Sequence, residues 1–134
     1  MSKYNLVIPG TLPGLNELIA AERTHRQKGA KLKRDTETLV RLHIRQQLRG
    51  VRPRTPVMLY YHFHEPSRRR DKDNIAAFAH KSIHDSLVKE GILANDGWDY
   101  VEGFVDVFSI DKKNPRIEVK IVEPVQSLPL AAKD

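Results

Sequence analysis

Within residues 57–64, Val57, Leu59, Tyr61 and Phe63 alternate with Met58, Tyr60, His62 and His64. A period of two is the signature of a β-strand. Bulky side chains fall on both of its faces, which puts this strand in the middle of a sheet rather than at the rim. Glu65, Pro66 and Ser67 end it. Beyond them Ile75, Phe78, Ala79, Ile83 and Leu87 recur at helical spacing, with Asp73 or Asn74 as N-cap and Gly91 as the stop.

The remaining segments fit around this pair. Residues 4–8 read as a short strand closed by Pro9 and Gly10, and 15–23 as a short helix with Leu15, Leu18 and Ile19 on one side. Lys28, Gly29 and Ala30 read as a flexible hinge ahead of a long helix over 31–49, stopped by Gly50. Two further strands, 98–110 and 116–123, are expected to pair as a hairpin across the turn at 111–115, with Trp98, Tyr100 and Phe104 in the core. The tail after Pro124 is expected to be loose.

A chain of 134 residues suits one domain, 1–134, with one core. Hydrophobic residues make up 40% and charged residues 30%, which excludes intrinsic disorder, and no apolar run is long enough to span a bilayer. The first residues lack the apolar segment of a secretory signal. There is no cysteine, which removes disulfides, thiolate nucleophiles and cysteine-zinc sites and fits a reducing cytoplasm. The net charge is +6 and the pI about 9.7, a balance that favours polyanionic partners. The positive charge is bunched in Arg23–Arg34, in Arg41–Arg54 and in Arg68, Arg69 and Arg70, so a basic face is expected rather than even solvation.

The chemistry concentrates where the third basic block meets acids. Arg68, Arg69 and Arg70 run into Asp71, Lys72, Asp73 and Asn74, and Asp96 follows the next helix. In extended backbone Asp71 and Asp73 point the same way, about 7 Å apart. Two readings fit: a surface ion-pair cluster, or a hard-cation site beside a phosphate-binding surface. Three carboxylates around Mg²⁺ would polarise a phosphodiester and generate hydroxide. Lys81 shares a helix face with Asn74; it either contacts phosphate or pairs with Asp85 at i,i+4. His80 and His84 read as surface residues rather than a zinc pair, and His62 and His64 as partly buried strand residues.

Asp71-Lys72-Asp73-Asn74-Ile75, Lys81-Ser82-Ile83-His84-Asp85-Ser86-Leu87 and Gly91-Ile92-Leu93-Ala94-Asn95-Asp96 resemble the RusA-type Holliday junction resolvases, in particular their phage and Gram-positive branch. The segment from Pro9 to Glu17 is similar to the phage-type members, so the resemblance spans roughly residues 4–122. It implies a small α+β domain, here a mixed sheet of about four strands packed with two to three helices. It implies a homodimer that resolves four-way DNA junctions by paired phosphodiester cleavage, in recombination and repair, in a bacterial cytoplasm or a phage-infected one. The implied cofactor is Mg²⁺, with Mn²⁺ as substitute. Asp71, Asp73 and Asp96 match the family's metal-binding acids. The family's essential lysine falls at Ala77, and Lys81 is the nearest substitute one turn on. Lys31, Lys33, Arg34, Arg68, Arg69, Arg70 and Lys72 would grip DNA, with no membrane and no small-molecule cofactor involved.

Overall fold

A computed structural model describes residues 2–125 of the chain. The order of elements is β1 (Lys3–Pro9), α1 (Leu15–Thr24), α2 (Arg26–Gln47), β2 (Val57–Glu65), α3 (Lys72–Lys89), β3 (Val101–Ile110) and β4 (Arg116–Val122). The loose tail expected after Pro124 lies, past residue 125, outside the described residues. The four strands form one mixed sheet in the order β1-β4-β2-β3. This is the expected α+β domain: a four-stranded sheet and three helices.

β2 is interior, as its two-sided bulk requires. It pairs antiparallel with β4 and parallel with β3. The expected β3–β4 hairpin does not form. After β3 the chain crosses the end of β2, where the Asp111 N–H donates to the Glu65 carbonyl at 2.8 Å, and enters the sheet between β1 and β2. The alternation of β4 fits this placement: Ile117, Val119 and Ile121 are all buried, and β4 takes an interior place with β1 on one side and β2 on the other. Parallel β2 and β3 are instead joined by α3, the crossover such a pair needs.

One face of the sheet packs against the helices. Leu59, Tyr61 and Phe63 of β2 meet Ile75, Ala79, Ile83 and Leu87 of α3 in a single core that also takes Val40 and Ile44 from α2. The predicted α3 stripe is therefore correct at every position. The opposite face carries Met58, Tyr60, His62 and His64, and Tyr60 is exposed. Trp98 is 97% exposed and Phe104 50%, so the aromatic core assignment fails for both.

Gly29 is no hinge. Helix α2 starts at Arg26, capped by the His25 ring, which accepts from the Gln27 N–H at 3.0 Å. A Cβ on Gly29 would run into the Glu22 side chain of α1, so glycine serves the close approach of the two helices. Gly14 acts likewise: a Cβ there would sit 2.8 Å from Asn74 Oδ1, which accepts from the Asn16 N–H at 2.7 Å. The N-terminal loop is thereby seated on the start of α3.

The helices are tied together by Glu90 at the end of α3. Arg45 and Arg41 of α2 both bond its carboxylate, Arg41 Nε at 2.7 Å and Arg45 Nη2 at 2.8 Å. Those bonds, Arg45's foremost, hold the Glu90 pKa at about 2, against an ordinary value of 4.5. The tie therefore contributes fully above about pH 4.5 and is lost as the pH falls toward 2. Glu90→Gln should lower the Tm at pH 7, and the gap to the native chain should close between pH 5 and 2. A gap of constant size across that range in thermal melts would contradict this linkage.

Candidate functional site

The turn between β2 and α3 shapes a cleft of about 930 Å³ walled by Arg68, Asp71, Lys72, Asp73 and the last residues of β3. Asp71 is the N-cap of α3 in extended backbone and makes no side-chain cap hydrogen bond. Asp73 lies in the first turn of the helix, and its Oδ1 accepts from the Asn74 N–H at 2.9 Å. The two carboxylates are thus not aligned by strand geometry, as expected, but by a helix start. Both are exposed and both line the same cleft.

Asp96 does not join them within one chain. It lines a separate cavity of about 310 Å³ with His84, Trp98 and Phe104, at the opposite end of α3 and β3. Asp73 and His84 are eleven residues apart on one helix, or ~16 Å at 1.5 Å per residue. Lys81 is also elsewhere. It pairs with Asp85 at 3.4 Å and lines a third cavity with Lys33, one that neither Asp71 nor Asp73 lines.

The basic residues divide into free and committed groups. Lys31 pairs with Asp35, and Lys33 with Glu22. Arg70 Nε and Nη2 bond the two oxygens of Glu65 at 3.2 and 2.9 Å, and Nη1 donates to the Leu12 carbonyl at 2.9 Å. Arg70 is therefore tied into the fold by Glu65 and Leu12 while it still lines the cleft. Arg34, Arg68, Arg69 and Lys72 are exposed and form no ion pair among the described residues. Lys72 Nζ lies 5.8 Å above the Phe108 ring.

One histidine pair differs from expectation, and the other, His62 and His64, is the partly buried strand pair expected. His80 and His84 are not surface residues. His80 Nε2 lies 2.7 Å from Asp106 Oδ1, and His84 Nε2 is buried without a partner. Burial, then the neighbouring His80, lowers the His84 pKa to about 4, so the ring is neutral at pH 7. His62 and His64 on β2 meet Glu118 on β4, and the three residues bring one ligand atom each within 4.8 Å of one another. That set is close enough to hold a metal ion. The sequence signal was the pair of histidines at i and i+2 of a strand, which share one face; the third member lies 54 residues from His64 and is placed by the β2–β4 register.

No protein-family model matches the chain, and no curated protein sequence does. Among the described residues no helix is long and apolar enough to cross a membrane.

Proposed function

We propose that the protein is a divalent-metal-dependent endonuclease acting on four-way junctions and related branched DNA, working as a homodimer. The observation that carries this is the cleft in which two exposed aspartates, Asp71 and Asp73, stand beside the unpaired cations Arg68 and Lys72. The donor set fits a hard ion: two carboxylates in an open cleft offer oxygen ligands, as Mg²⁺ or Mn²⁺ requires. A bound Mg²⁺ supplies Lewis-acid polarisation of a phosphodiester and a more acidic water. Arg68, Arg69, Lys72 and Arg34 hold the backbone phosphates, and the Asp71 and Asp73 carboxylates orient the ion's face of the cleft.

One chain supplies two acids to this cleft, and the dimer supplies the third. β3 is a rim strand whose outer edge has no partner among the described residues. Phe104, Val105, Val107 and Ile110 along it are exposed, and Trp98 just ahead of it more so. A long, exposed, apolar edge invites pairing with another strand. Antiparallel pairing of β3 with the β3 of a second copy, about a two-fold axis, sets the start of one strand against the end of the other. Asp96 precedes the start of β3; Asp71 and Asp73 lie at its end. The partner's Asp96 is thereby carried toward this chain's cleft, giving two composite sites, one for each cut of a two-fold junction.

A second reading, a basic DNA-binding module whose acids are structural, draws on the separation of Asp96 within one chain. Nicking assays on a four-way junction, a fork, a flap and linear duplex, each with Mg²⁺ and with EDTA, decide between them. Cutting of branched substrates that EDTA abolishes, with gel-shift binding retained, is the expected result. Binding without cutting under every condition would leave the module.

A further inference from the structure

The sheet face away from the helices carries a second cluster, drawn from three adjacent strands. His62 and His64 occupy alternate positions of β2; Glu118 of β4 is the register partner of His62, and Ser109 of β3 is that of His64. The two imidazoles stack with centroids 3.7 Å apart. Ser109 Oγ lies 2.8 Å from His62 Nε2 and 3.2 Å from His64 Nδ1, so one hydroxyl attends one nitrogen of each ring. The other nitrogens, His62 Nδ1 and His64 Nε2, face Glu118 Oε1 at 4.0 and 2.9 Å. Glu118 Oε2 is taken by Arg116 Nε at 3.1 Å, and Arg116 is held in turn by Asp111 at 2.9 Å.

We infer that His62 Nδ1, His64 Nε2 and Glu118 Oε1 form a three-ligand site for a borderline divalent cation of the Zn²⁺ class, with its fourth position open to solvent. Two imidazoles and a carboxylate suit such an ion, whereas Mg²⁺ wants oxygen alone. A tetrahedral ion with bonds of about 2.0–2.1 Å sets its ligands ~3.3 Å apart, and the observed 2.9 and 4.0 Å bracket that spacing. The two rings, stacked 3.7 Å apart, splay to bring both lone pairs onto one ion.

The surrounding bonds are those a metal centre needs. A ligating histidine donates its second N–H to a fixed acceptor, and the two lone pairs of Ser109 Oγ can accept from both rings at once. That choice of tautomers turns both remaining lone pairs toward Glu118. Arg116 fixes the carboxylate, and its own charge is offset by Asp111 and Glu118. Without the ion, the other neutral tautomer of His64 satisfies the same contacts, Nε2–H donating to Glu118 Oε1 and Ser109 Oγ–H to Nδ1. The side chains of His62 and Glu118 are 37% and 42% exposed, so an ion reaches them from solvent. They open onto a groove of about 400 Å³ bordered by Tyr60 and Lys120. None of the three ligands lines the aspartate cleft, which meets this cluster at Ser109, and the site stands whether or not the nuclease reading does.

The test is a titration of the metal-free full chain with Co²⁺, a zinc surrogate whose d–d bands report coordination. The expected result is intense bands of four-coordinate Co²⁺ saturating at one equivalent and displaced by Zn²⁺. His62→Ala and Glu118→Gln, both at accessible side chains, should each weaken Co²⁺ binding at least about tenfold, and Ser109→Ala about 10–100-fold. Circular dichroism confirms that each variant is folded. Absence of the bands in the native chain would overturn the site. So would equal binding by folded His62→Ala and Glu118→Gln, or loss of the bands in Asp73→Asn but not in His62→Ala.

Discussion

Chains carrying Asp73→Asn and chains carrying Asp96→Asn, each inactive alone, are expected to nick four-way junctions when co-refolded. The reason is the placement of the two acids at opposite ends of α3 and β3. If each cleft combines Asp71 and Asp73 of one copy with Asp96 of the other, a mixed dimer has one cleft with both substitutions and one with none. Loss of a metal-binding carboxylate removes several kcal/mol of charge stabilisation, or about 10³-fold in rate. Random pairing makes half the dimers mixed, so about a quarter of native nicking should return, as single cuts rather than paired ones. Junction binding should persist throughout, because removal of a negative charge does not weaken phosphate contacts. A mixture that stays inactive, while mass measurement shows heterodimers, would rule out shared sites.

The second large effect concerns stability. Arg70→Met should destabilise the fold by about 3–5 kcal/mol, because it leaves Glu65 as an uncompensated buried charge. The Glu65 side chain is 6% exposed and has Arg70 as its bidentate partner. At roughly 2–8 °C per kcal/mol for domains of this order, Tm falls by ~10 °C or more. Replacing both partners, Arg70→Met with Glu65→Leu, should recover most of that loss, since a well-packed apolar pair substitutes for a buried ion pair. Recovery stays incomplete because the Leu12 carbonyl also loses its donor. A double variant as unstable as the single one would show that the ion pair is not the cause.

The local half of the fold was legible because its signals are local. The α3 stripe repeats within a few turns, and β2 declares its interior position by carrying bulk on both faces. What failed depends on partners distant in sequence. A five-residue turn between two alternating segments is the usual mark of a hairpin, yet β4 pairs with β1 and β2 because burial of Ile117, Val119 and Ile121 outweighs proximity in the chain. Gly29 reads as a hinge until Glu22 of the neighbouring helix is seen against it. The arginine block looked uniform, and only the buried Glu65 separates Arg70 from Arg68 and Arg69. At the site, the two clustered aspartates were readable as a pair, whereas the position of Asp96 is fixed by the length of α3, which no motif reports. The ligand set on the open face needed the register of three strands at once.

One topological fact reaches beyond the folded state. Of the four described strands β1 comes first in the chain, and its sole neighbour in the sheet is β4, which comes last. A growing polypeptide on the ribosome therefore holds β1 unmatched until residue 122 has cleared the exit tunnel. Closure of the sheet therefore waits on β4 and is governed by the slow search that long sequence separation imposes.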